Sequence, residues 1–176
     1  MKKVLIIGLG SIGQRHLRNL KSLKSNISFL ACRRKRITPV LNDKLEPNYK
    51  SNLTKIYNLK NFDSIEKSIR EKPDVAFICT PSIMHITETI KCLKNNIHTF
   101  VEKPLGSNNH RLSELIQLFK KKKNKLITMM GFQIKFNPLY IYLKKELNKK
   151  NSEKILKIEI FNGERLTSFH KYEDYR

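Results

Sequence analysis

The sequence predicts an α/β fold: a doubly wound parallel sheet, followed by the beginning of an incomplete α+β domain. Three observations predict it. An apolar run, Val4-Leu5-Ile6-Ile7, feeds directly into Gly8-Leu9-Gly10-Ser11-Ile12-Gly13. Strand-like and helix-like stretches then alternate through residues 1–130, which calls for βαβ units and parallel pairing. Residues 131–176 break that alternation.

The first turn carries chemistry as well as topology. Gly8 permits the tight passage from strand to helix, Gly10 lets backbone N–H groups approach a diphosphate, and Gly13 lets the helix pack close to the strand. Ser11 and Ile12 stand at the helix N-terminus, whose positive end favours an anion. Three of the chain's six glycines fall within these six residues, between a β-run and an amphipathic stretch. That context makes the turn a dinucleotide-binding fingerprint of the Rossmann type.

The remaining elements follow in order. Ile12, Leu17, Leu20 and Leu23 give the first helix one apolar face, and residues 27–32 read as the second strand. A polar loop with Pro39 and Pro47 leads to a short strand near residues 55–57. Asp63 is placed to cap a helix carrying Ile65 and Ile69, which stops before Pro73. Residues 74–79 form a buried strand ending at Thr80-Pro81. Ile83, Ile86, Ile90 and Leu93 then mark the inward face of a helix. Residues 97–101 are a strand ending at Glu102-Lys103-Pro104. Ser107 begins a further helix with Leu112, Leu115, Ile116 and Phe119 facing in, and residues 126–130 close the sheet. Beyond them come a connection at 131–138, a helix at 139–147 and a strand at 156–162. One strand cannot satisfy its own backbone, so either another subunit supplies its partners or, the favoured reading, the chain is the front portion of a longer protein. The domains expected are 1–130, binding the dinucleotide, and 131–176, the start of a second domain.

Composition narrows the class. Hydrophobic residues make up 39% of the 176, enough for a core, and no apolar run approaches a membrane span. Lys2 and Lys3 before Val4 imitate a signal peptide, but the apolar run is too short and the glycines interrupt it. A cytoplasmic location with no membrane partner is expected. Cys32, Cys79 and Cys92 are odd in number and lack metal-site spacing, so they read as reduced packing residues and no metal is expected. The net charge of +21 would attract any polyanion. Its 36 cations are nevertheless spread along the chain, and the densest run, Lys120 to Lys123 with Lys125, sits at a predicted helix C-terminus, where cations complement the dipole. No specific nucleic-acid partner is inferred.

Ligands of open parallel sheets bind beyond the carboxyl ends of the strands. That rule gathers the glycine turn, Arg33, Arg34, Thr80, Pro81, His85, Glu102 and Lys103 into one place. Arg33 stands twenty residues after Gly13, where an NAD-binding chain offers a carboxylate to the ribose 2′-hydroxyl. Arg33 to Arg36 offer cations instead, which suit a 2′-phosphate. The cofactor expected is NADP, with NAD the alternative. Lys103 is the candidate catalytic residue: an ammonium beside a reacting hydroxyl stabilises a developing alkoxide. Burial near the nicotinamide would lower its pKa, and Glu102 would orient it.

Gly8, Gly10, Gly13, Arg15 and His16, then Thr80-Pro81 to His85, Glu102-Lys103-Pro104, and Gly131-Phe132 to Phe136-Asn137-Pro138 occur in the order of one family. Together they resemble the Gfo/Idh/MocA oxidoreductases, relatives of glucose–fructose oxidoreductase and inositol dehydrogenase. The resemblance implies a Rossmann domain followed by a substrate domain, with Lys103 as the active-site lysine, often before a cis peptide. It implies that the segment from Thr80 to His85 approaches the cofactor. It further implies hydride transfer between a nicotinamide and a sugar, cyclitol or sugar-nucleotide, a small-molecule partner. Such enzymes generally associate through the second domain, so a homo-oligomer would be the protein partner. The usual proton-accepting His of the family falls beyond Arg176, and His170 does not match it. The tail from Gly163 to Arg176 is similar to a branch found with surface-glycan synthesis, with departures at Thr167, Phe169 and Lys171. Two readings stay open: a dehydrogenase, or a catalytically inactive dinucleotide-binding fragment.

Overall fold

Six short strands of the described residues pair in parallel because helical crossovers carry the chain back between successive strands of the sheet. The computed structural model describes residues 1–23, 26–33, 38–122 and 125–149, with Lys157, Glu159 and Phe161. The chain divides into two compact units, residues 1–131 and 132–176.

In the first unit, β1 (Lys2–Ile7) leads to α1 (Ser11–Ser22) and β2 (Ile27–Cys32). A small antiparallel hairpin, β3 (Val40–Leu41) with β4 (Pro47–Asn48), precedes α2 (Leu53–Tyr57), β5 (Lys60–Phe62) and α3 (Ile65–Ile69). Then come β6 (Val75–Ile78), α4 (Ser82–Lys94), β7 (His98–Val101), α5 (Leu112–Lys122) and β8 (Thr128–Met130). The sheet runs β5-β2-β1-β6-β7-β8, all parallel. In order along the sheet these are its third, second, first, fourth, fifth and sixth strands, the doubly wound order with its reversal between β1 and β6.

The pleat sends alternate residues to two cores. Leu5, Ile7, Ala76, Ile78 and Val101 pack with Ile65 of α3 and Cys92 of α4. Val4, Ile6, Phe29 and Ala31 pack with Leu17 of α1 and Leu53 of α2. Ile86, Ile90 and Leu93 meet Leu115 of α5. The near-continuous apolar β1 is what a strand buried on both faces requires. No helix of the described residues is long and apolar enough to cross a membrane. In the second unit a 3-10 turn (Gln133–Phe136) precedes α6 (Pro138–Leu147), whose first turn is capped by Asn137 accepting from the Leu139 N–H.

Several local expectations change. Residues 55–57 are helical, because the Asn52 side chain caps the N–H groups of Thr54 and Lys55; the strand lies further on, at Lys60–Phe62. Ser64, not Asp63, caps α3 by accepting from Lys67, while Asp63 pairs with the Lys67 ammonium. The helix expected from Ser107 starts at Leu112. Asn108 folds back to accept from the His110 N–H, and Arg111 takes a left-handed φ of 60°, which breaks any earlier helix. The inward ridge of α5 is consequently Leu112, Leu115 and Leu118, leaving Ile116 and Phe119 exposed. Ile83, in the first turn of α4, and Leu23, past the end of α1, are also exposed. The strand expected at 156–162 falls almost wholly outside the described residues, as do Lys123 and the tail from Gly163 with His170.

Candidate functional site

The reversal point between β1 and β6 places two turns side by side. Gly8, with φ +90°, lies against the backbone of β6's end: a Cβ there would meet the Cys79 carbonyl oxygen at 2.7 Å. Gly13 is tighter still, since its Cβ would stand 2.1 Å from the Gly8 carbonyl oxygen. Gly10 differs from both. Nothing lies within 4 Å of where its Cβ would be. It is also the N-cap of α1, with no side chain bonding the first-turn N–H groups and no acid in that turn. Ser11, Ile12 and Gly13 therefore present helix-end donors beside open space, the arrangement an anion needs. The N-terminus of α4, next to Thr80 and Pro81, likewise has no capping side chain and no acid in its first turn.

A second cluster stands at the ends of β6 and β7. Thr80 donates its hydroxyl to the buried Glu88 carboxylate at 2.5 Å. His85 is 1% exposed, with Nδ1 2.7 Å from the Pro104 carbonyl oxygen and Nε2 2.7 Å from that of Thr80. Its ring thus ties the two turns together from within, rather than opening toward a cofactor as expected. The Lys103–Pro104 peptide is cis. Lys103 is exposed, not buried, and makes no hydrogen bond among the described residues. Glu102 does not orient it: the Glu102 carboxylate, 9% exposed, lies 2.7 Å from His16 Nε2.

Sequence reasoning missed the His16 link. His16 packs against the rings of Phe77 and Phe100, neighbours in register across β6 and β7, with centroids about 5 Å apart. The signal available was a polar residue one turn beyond Gly13 on a helix pinned to the sheet. Replacing His16 with leucine leaves a nearly buried carboxylate without this partner. The expected cost is ~1–3 kcal/mol, read as a lower urea midpoint. Glu102→Gln, which keeps an acceptor oxygen for the ring, is expected to cost less; equal midpoints for parent and His16→Leu would contradict the pairing.

Arg33 follows β2, and its guanidinium donates to Thr38 Oγ1 at 3.3 Å and Thr54 Oγ1 at 3.1 Å, with partial burial lowering its pKa. Arg34, with Lys35 and Arg36, lies outside the described residues. The cysteines are poor nucleophiles: burial, then the charge of Glu88, pushes the Cys32 thiol up to about 11. Burial with the charges of Glu102 and Glu88 raises Cys79 further. No cluster of His, Cys, Asp or Glu suited to a metal occurs among the described residues.

Residues 2–130 match the family model Gfo/Idh/MocA, described as an oxidoreductase family with an NAD-binding Rossmann fold. The chain belongs to this family. As a Gfo/Idh/MocA member it is 30% identical over 143 residues to the myo-inositol 2-dehydrogenase of Thermotoga maritima, covering 81% of this chain and 39% of that protein. It is 25% identical over 143 residues to the 4-carboxy-2-hydroxymuconate-6-semialdehyde dehydrogenase of a Sphingobium species, covering 80% of this chain and 41% of the relative. Among solved structures, the myo-inositol 2-dehydrogenase of Lactobacillus plantarum matches with a TM-score of 0.68 and 26% identity, over 83% of this chain and 40% of that one. The WlbA dehydrogenase of Chromobacterium violaceum, in complex with NADH and UDP-GlcNAcA, matches with a TM-score of 0.69 over 85% of this chain and 40% of that one. Its 18% identity makes that likeness one of fold. The chain spans about two fifths of the length of the relatives it matches.

Proposed function

We propose that this Gfo/Idh/MocA chain binds a nicotinamide dinucleotide and serves hydride transfer to or from a hydroxyl or carbonyl carbon of a sugar, cyclitol or sugar-nucleotide, in the cytoplasm. The observation that carries the reading is the uncapped end of α1 beside the open space at Gly10. A diphosphate there would accept from the N–H groups of Ser11, Ile12 and Gly13. When bound, the nicotinamide gives or takes the hydride. The chain's own contribution is placement and charge. The Thr80 backbone N lies 3.0 Å from where a Cβ on Gly8 would be, and the ends of α1 and α4 both favour negative charge. Lys103 stands free to bring its ammonium to the reacting oxygen, where it stabilises developing negative charge. His85, bridging the Thr80 and Pro104 carbonyls, sets the spacing of the two turns from which Thr80 and Lys103 act.

NADP is favoured over NAD because β2 is followed by Arg33 where a carboxylate would serve the ribose hydroxyl. The test is steady-state turnover of sugars, cyclitols and sugar-nucleotides with each coenzyme, beside calorimetric binding of both. Reduced coenzyme formed faster with NADP than with NAD is the expected result. Tighter NAD binding would overturn the coenzyme preference. Binding of either without turnover on any substrate would leave a dinucleotide-binding module, the competing reading.

A further inference from the structure

We infer that Gln14 is a positioning residue for the adenosine half of the dinucleotide, an inference that rests on the proposed function. Its side chain is 1% exposed, on the inward stripe of α1 with Leu17. An amide in that place is expensive to bury unless it is bonded, and an apolar residue would fill the core as well. Gln14 is bonded on both sides. Nε2 donates to the Leu9 carbonyl oxygen at 3.2 Å and to that of Pro39 at 2.9 Å, while Oε1 accepts from the Leu41 N–H at 2.8 Å. Those partners fix the orientation of the amide, because the reverse would set its oxygen against two carbonyls.

The three bonds join two separate pieces of backbone. Leu9 lies inside the glycine turn, between Gly8 and Gly10. Pro39 and Leu41 belong to the segment that follows β2 and enters β3. One turn further along α1, Arg18 donates to the Leu41 carbonyl oxygen at 2.8 Å and pairs with Asp43 at 2.8 Å. Thr38, the neighbour of Pro39, is held as well, accepting from the Arg33 guanidinium at 3.3 Å. In a doubly wound sheet the diphosphate sits at the glycine turn and the adenosine ribose beside the end of β2. Backbone pairing sets the step from the turn to the end of β2, with the Gly8 N–H bonded to the Cys32 carbonyl oxygen at 2.9 Å; Gln14 holds the chain beyond β2, at Pro39 and Leu41, against that turn. Holding both in advance removes an ordering cost from binding.

The test compares the parent chain with Gln14→Met and Gln14→Glu, using ADP and inorganic pyrophosphate as calorimetric probes. Gln14→Met keeps the volume and removes all three bonds. It is expected to lower ADP affinity roughly tenfold relative to pyrophosphate affinity, since pyrophosphate needs only the helix end. Gln14→Glu is near-isosteric but, when ionised, turns a carboxylate oxygen toward the Leu9 and Pro39 carbonyls. Its ADP-to-pyrophosphate ratio, taken against the parent at each pH, should fall about as far. It should recover as the pH falls and the carboxyl, raised above its ordinary range by burial against two carbonyl oxygens, takes up a proton and regains a donor. A residue that only fills the core would change melting temperature without changing that ratio or its pH profile. A folded Gln14→Met with the parent's ratio overturns the assignment. Should Gln14→Met fail to fold, the pH recovery of Gln14→Glu decides, and a flat profile overturns it. No binding of ADP by the parent would overturn the proposed function and this inference together.

Discussion

Gly10→Asp is expected to fold at least as stably as the parent and to lose the nucleotide, whereas Gly13→Ala loses both. The two glycines lie three residues apart in one turn, yet the space around them is opposite. At Gly10 nothing stands within 4 Å of a new Cβ, and the residue is an N-cap with ordinary backbone angles. An aspartate there gains a bond to a first-turn N–H and a favourable dipole interaction, worth ~0.3–1 kcal/mol. The same carboxylate takes the donors and repels the charge that a diphosphate would bring. Coenzyme affinity should fall by more than about tenfold. At Gly13 the added Cβ would lie 2.1 Å from a backbone oxygen, so the helix must move off the strand. That overpacking is expected to cost about 3 kcal/mol or more, and the melting temperature to drop by roughly 10 °C. Thermal melts and calorimetry on both variants check the pair. A Gly10→Asp protein that binds coenzyme normally would remove the turn from the ligand site.

Lys103→Met should leave coenzyme affinity within about twofold of the parent and lower the rate of hydride transfer by ~10²–10³. The side chain is exposed and free of partners among the described residues, so its loss disturbs no packing. Its backbone position is held by neighbours instead: Glu102 bonds the Ile78 carbonyl through its N–H and His16 through its carboxylate, and Pro104 is held by His85. Methionine keeps the length and removes the charge. Turnover with saturating coenzyme, beside calorimetry, separates the two effects. A fall in affinity with an unchanged maximal rate would make Lys103 a binding residue, not a catalytic one.

The sheet was legible because β1, β6 and β7 are apolar runs closed by glycine, proline or a charged pair, and such punctuation survives any tertiary context. Elements near polar side chains were harder to read. Asn52 turned a stretch with β-branched and aromatic residues into a helix, and Asn108 with Arg111 delayed α5, because one side-chain bond to the backbone outweighs a weak propensity. The turn from β1 to α1 could be read from its glycine spacing together with the apolar run before it and the amphipathic stretch after it. The supports behind it could not. Gln14, His16 and Glu102 meet partners 25 to 86 residues away, and no local pattern announces which backbone atom a buried amide or imidazole will find.

On the proposed function, the end of α1 receives the diphosphate of a nicotinamide dinucleotide. Backbone amide NMR during titration with NADPH tests it most directly. Saturable shifts are expected at Gly10, Ser11, Ile12 and Gly13, with smaller ones at Thr80 and Lys103. Shifts absent from those amides, or confined to the lysine-rich end of α5, would contradict it.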